Sequence, residues 1–78
     1  MNGNGKLPVT SGRKVVKALG RAGFRVVRQK GSHVRLEKTE GDQVIKLIVP
    51  LHDTLKKGTL RQIITDSGLT TEEFLKLL

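Results

Sequence analysis

The chain contains no cysteine, tryptophan or tyrosine, and only two phenylalanines and two prolines. Without cysteine there is neither a disulfide frame nor a thiolate metal site. So few aromatics argue against a platform that stacks bases on exposed rings, the more so because Phe24 and Phe74 fall where core residues are expected. No apolar run approaches the roughly 18 residues of a membrane span, and no signal-peptide pattern opens the chain. The expectation is a soluble cytoplasmic protein with no membrane partner. Acid is scarce too: 7 Asp and Glu stand against 15 Lys and Arg, a net charge of +8. The carboxylates Glu37, Glu40, Asp42, Asp53, Asp66, Glu72 and Glu73 show no H-x-x-x-H or D-x-D spacing, so neither a metal nor another cofactor is expected.

What the chain has in excess is cation. A domain of 78 residues buries only about 60–65% of its unfolded surface, so its core is small. A charge of +8 on so small a body points to a polyanionic partner. A basic surface that reads phosphates, riboses and backbone shape fits RNA better than base stacking does.

Residues 1–10 open with Asn and Gly and pass through Leu7-Pro8, which predicts a flexible tail ahead of one domain over residues 11–78. Thr10 or Ser11 caps a helix to about Ala22, with Val15, Val16, Leu19 and Ala22 as its apolar stripe and Gly23 as its stop. Lys14, Lys17 and Arg21 take its solvent side. Three strand patterns follow. The first, 24–29, turns Phe24 and Val26 inward; the second, 32–38, turns Val34 and Leu36 inward; the third, 43–49, does so with Ile45, Leu47 and Val49. Lys30-Gly31 and Thr39–Asp42 read as hairpin connections, so the strands form an antiparallel meander that ends at Pro50. A helix from Gly58 or Thr59 to Ser67 stops at Gly68, and Thr70-Thr71-Glu72-Glu73 is a capping box opening a last helix. The expected class is α+β, in the order α-β-β-β-α-α.

The most informative stretch is Arg28-Gln29-Lys30-Gly31-Ser32-His33. In the second strand His33 shares parity with Arg35 and Glu37, whereas Val34 and Leu36 take the other face, so the imidazole points away from the core. Imidazole is the side chain suited to proton exchange near neutral pH, and Arg28, Lys30 and Arg35 could hold a phosphate beside it. Gly31 and Ser32 let that phosphate approach the backbone. A histidine without a task is the plain alternative. If Lys38 pairs with about Gln43, His33 lies opposite about Ile48, and the chain past Pro50 returns His52 to within roughly 10–15 Å of His33. His52 is thus a candidate second acid or base. Ser32 is not a candidate nucleophile, because strand neighbours point to opposite faces.

Lys56-Lys57-Gly58-Thr59 forms a second basic element, where free N–H groups at a helix start favour phosphate. Val27, Val44 and Ile48 fall on the outer sheet face, which suggests a covering partner.

These segments resemble the HicA family of small toxins from prokaryotic toxin–antitoxin pairs. The similar pieces are Ser11–Leu19, Ala22-Gly23-Phe24, Arg28–His33, Val49-Pro50-Leu51-His52, Leu55–Leu60, Gly68-Leu69 and Glu72–Leu75. The resemblance implies a fold like that of double-stranded-RNA-binding domains. It implies ribonuclease activity on mRNA with His33 catalytic, and a HicB-like antitoxin that covers the site. Two rival readings remain. One is a non-catalytic RNA-binding module of the same fold. The other is a DNA-binding helix-turn-helix in Leu60–Leu78, which Glu72 and Glu73 disfavour because they would face phosphates.

Overall fold

The structure is a computed structural model that describes residues 7–78. In chain order the elements are α1 (Gly12–Arg21), β1 (Arg25–Lys30), β2 (His33–Glu40), β3 (Gln43–Pro50), α2 (Lys57–Ser67) and α3 (Thr71–Leu77). The strands form one antiparallel sheet in the order β1-β2-β3. This is the α+β layout that the sequence pattern predicts, and it is consistent with a double-stranded-RNA-binding-domain-like fold.

Local chemistry sets the element ends. Ser11 caps α1, its side chain accepting the Lys14 N–H at 3.2 Å. Both hairpins turn on two residues, Gly31-Ser32 and Gly41-Asp42. In each the glycine comes first with positive φ, 59° at Gly31 and 62° at Gly41, the sign pattern of a type II′ turn, which matches strand twist. Gly68 ends α2 in the left-handed region. The Thr70 capping box is complete: Thr70 N–H donates to Glu73 Oε1 at 2.8 Å, and Glu73 N–H donates to Thr70 Oγ1 at 3.0 Å.

The helices cover one face of the sheet. Val15, Ala18 and Leu19 of α1, Leu60, Ile63 and Ile64 of α2, and Phe74 of α3 pack with Phe24, Val34, Leu36, Leu47, Val49 and Leu55. The alternation expected in β2 and β3 is borne out: Val34, Leu36, Leu47 and Val49 are buried, and Ile45 is partly so. The stretch read as a tail divides. Residues 1–6 lie outside the described residues, whereas Leu7 and Thr10 are buried and Thr10 O accepts the Leu55 N–H at 2.9 Å.

The first strand departs from its expected pattern. Phe24 is buried but precedes β1, and Val26 is 52% exposed. Val26 pairs with Leu36 and so shares its face, but β1 is an edge strand and all six of its residues are exposed. The helix layer stops short of it. A β-bulge also lies between Val26 and Arg28, leaving Val27 unpaired. The second hairpin is tighter than expected too: Glu40 pairs with Gln43, which moves the register by two residues and sets His33 opposite Pro50 rather than Ile48. A two-residue shift preserves parity, so the faces of β3 are unchanged.

Candidate nucleic-acid interface

The bulge determines which side chains surround His33. In a regular strand Arg28 and Lys30 would share Val26's face, the one toward the helices. The extra residue at Val27 inverts the parity of the second half of β1. Arg28 therefore stands opposite Arg35, and Lys30 opposite His33, while Gln29 pairs with Val34 on the helix side. Arg28, Lys30, His33, Arg35 and Ile48 together line an open depression on the outer face. Gln29, on the helix side, donates its side-chain N–H to Gly31 O at 3.2 Å within the turn.

The charge in this depression is unbalanced. Arg28 and Arg35 are directly opposite on neighbouring strands, an arrangement that is destabilising unless something negative lies between. Among the described residues the only ion pair joins Lys38 and Glu40, at 3.4 Å. Lys38 belongs to the helix side, where its ammonium sits 5.7 Å from the Phe24 ring centre. The one carboxylate within the sheet's outer face, Glu37, is opposite Arg25 on one side and Lys46 on the other. The row holding Arg28 and Arg35 has no acid at all.

His52 follows a different path from His33. Leu51 N–H donates to Ser32 O at 2.6 Å, which continues the β2–β3 ladder past Pro50. The His52 carbonyl then accepts the Gly12 N–H at 2.9 Å and ties the segment to the start of α1. Its imidazole is exposed but does not line the depression. Gly12 permits this approach, because a Cβ there would overlap the Pro50 carbonyl oxygen and lie 2.8 Å from Leu51 Cα.

The second basic element lies at the start of α2. Lys56 is its N-cap and makes no side-chain capping bond, and Lys57 is its first residue. Both lysines are exposed, and the first backbone bond of the helix runs from Leu60 N–H to Lys56 O. The intervening N–H groups thus have no helical partner. Gly31, Ser32, Lys56, Lys57 and Thr59 are not part of the depression around His33. Val44 and Ile48 are half-exposed on the outer face, and Val27 is exposed at the bulge on the opposite edge. Among the described residues no three His, Cys, Asp or Glu side chains gather as a metal cluster would, and no helix is long and apolar enough to cross a membrane.

A family model described as HicA toxin of bacterial toxin–antitoxin matches residues 12–69. The chain belongs to the HicA toxin family. The match spans both helices that flank the sheet and the whole sheet itself. No curated protein matches the toxin. Two further cations of the outer face, Arg25 and Lys46, were not singled out from the sequence. Lys46 shares parity with Val44 and Ile48, so the alternation of β3 already carried that signal. Arg25 lies between Phe24 and Val26, ahead of the bulge, so the alternation of β1 carried the same signal for it.

Proposed function

We propose that this toxin is an endoribonuclease that cleaves mRNA at the outer face of its sheet, without a metal, using His33. The observation that carries the reading is the depression in which Arg28, Lys30 and Arg35 flank His33 with no acid in their rows. Three cations around one imidazole suit a scissile phosphate, whose charge grows in the transition state of cleavage. His33 accepts the proton of a ribose 2′-hydroxyl, whose oxygen attacks phosphorus. The bond from phosphorus to the 5′-oxygen breaks, that oxygen takes a proton from solvent, and a 2′,3′-cyclic phosphate remains. His52 is the candidate for supplying that proton instead.

Gly31 and Ser32 let the RNA backbone come close at the turn. Lys56, Lys57 and Thr59 hold a further phosphate at the open N–H groups of α2. A HicB-like antitoxin covers the apolar outer positions, Val27, Val44 and Ile48, and complements the positive charge. The protein is read as cytoplasmic, where mRNA is found.

The test is cleavage of an RNA oligonucleotide by the purified toxin in excess EDTA, with product ends analysed. Cleavage that leaves a 2′,3′-cyclic phosphate, with an all-2′-deoxy substrate inert, is the expected result. Activity lost on chelation and restored by Mg²⁺ would reject the mechanism. Tight RNA binding without any cleavage would leave a non-catalytic RNA-binding module.

A further inference from the structure

The two edges of the sheet are guarded differently. β1 carries the bulge at Val27 and three cations, Arg25, Arg28 and Lys30, devices that keep a free edge from pairing with another chain. β3 has no bulge, and its edge carries one lysine and the terminal Pro50 in place of three cations. It is eight residues long, pairs with β2 without irregularity, and has Lys46 as its only charge. Val44 is 49% and Ile48 54% exposed.

The ladder defines which backbone groups of β3 are open. Leu51 N–H bonds Ser32 O, and from that pair the alternation of an antiparallel ladder proceeds. Val49, Leu47 and Ile45 direct their N–H and C=O groups to β2. Val44, Lys46 and Ile48 direct theirs outward. Among the described residues no loop or helix backbone bonds to these three. The same three residues place their side chains on the outer face, two apolar ones flanking a lysine.

We infer that the β3 edge is the docking rail of the antitoxin, which adds an extended segment as a fourth strand, with an acid near Lys46 and apolar residues near Val44 and Ile48. This deepens the proposed function, since it rests on an antitoxin covering the outer face. Charge selects the occupant. A second copy would bring two chains of +8 and two Lys46 side chains to one edge, whereas an acidic segment is complementary. Geometry links docking to inhibition. A strand added there lies about 10 Å from β2, with Ile48 of β3 between it and Arg35. An apolar side chain opposite Ile48 thus covers the wall that Ile48 gives to the depression holding His33. Val27 lies on the far edge and takes no part in this contact.

Backbone amide hydrogen exchange tests the inference on the toxin alone and co-expressed with the product of its neighbouring antitoxin gene. In the free toxin the amides of Ile45, Leu47 and Val49 exchange slowly and those of Val44, Lys46 and Ile48 fast. In the complex the fast set is expected to join the slow set. Lys46→Pro, which removes one outward N–H and no β2–β3 bond, should weaken the complex about tenfold, the loss of one hydrogen bond of roughly 1.4 kcal/mol. Lys46→Ala keeps the N–H and separates the side chain's share. Circular dichroism of free Lys46→Pro should keep the wild-type sheet signal and a cooperative melt, which reports that the variant is folded.

A silenced complex in which Val44, Lys46 and Ile48 still exchange fast would overturn edge pairing and leave the nuclease reading intact. Protection of these amides in the toxin alone, rising with its concentration, would overturn it in favour of self-pairing. A free toxin that never cleaves RNA would instead overturn the proposed function, whatever the exchange pattern.

Discussion

Two glycines in α1 should respond to alanine in opposite directions. Gly12 opens the helix against the segment that leads from β3, and a Cβ there would overlap the Pro50 carbonyl oxygen and lie 2.8 Å from Leu51 Cα. Neither obstacle is a flexible side-chain end, so backbone must move. The Gly12 N–H bond to His52 O, at 2.9 Å, is then lost or stretched. Overpacking of this kind costs about 1–3 kcal/mol, and the bond about 1 more, so Gly12→Ala should destabilise by about 2–4 kcal/mol. For a domain of this size each kcal/mol moves the melting temperature by about 4–8 °C, so a fall of about 8–32 °C is expected. Gly20 sits in the same helix, and a Cβ there meets nothing within 4 Å. Gly20→Ala should stabilise by about 0.5–1 kcal/mol through reduced chain entropy and better helix propensity. Thermal unfolding followed by circular dichroism measures both. Gly12→Ala melting within about 2 °C of wild type, well under the shift for 1 kcal/mol, would refute the close approach of α1 to Pro50–His52.

Deleting Val27 should remove the bulge and leave a regular ladder in which Arg28 still faces Arg35 and Lys30 still faces His33. RNA affinity should therefore stay near wild type in a chain that still folds; a large loss of affinity would mean that this pairing does not build the site. Changing Lys56 and Lys57 together to Ala should weaken RNA binding equally across sequences. If each neutralises one phosphate, the slope of log K against log salt should shrink by about 1.4 on a single strand or about 1.8 on a duplex, and an unchanged slope would place the contacts elsewhere. Glu73 has its carboxyl held below its ordinary value of 4.5, first by the Thr70 backbone N–H and then by the Thr70 side chain. Its contribution is therefore complete above that ordinary value and lost as pH falls through the lower folded value. Glu73→Gln keeps the cap's shape, so unfolding should show a shallower loss of stability on the acid side, and an unaltered acid limb would contradict the assignment.

Most of the fold was legible because its punctuation is local. Ser11, the two hairpin glycines, Gly68 and the Thr70–Glu73 box each act within a few residues, and β2 alternates without interruption. The face of His33 followed from that alternation alone. β1 was not legible in the same way. Val26 and Val27 are adjacent and equally apolar, so nothing local says which one turns inward, and pairing with β2 decides it through a bulge. Reading Val26 as core also assumed that helices cover the whole sheet, whereas the edge strand extends beyond them. The second hairpin was misjudged by two residues because Thr39 and Glu40 suit a turn or a strand, and strand pairing prevailed. The gathering of Arg28, Lys30 and Arg35 about His33 therefore combines a legible part, the parity of β2, with an illegible one, the bulge.

The central claim is that His33 carries the chemistry on this face, and single-turnover RNA cleavage by purified His33→Ala tests it most directly. His33 is exposed and is not part of the core, so the variant should retain its melting temperature and its RNA affinity. Its cleavage rate should fall by about 10²–10⁴, the usual contribution of a general acid or base. A folded His33→Ala protein that cleaves RNA within about twofold of wild type, far less than such a group supplies, would contradict the account.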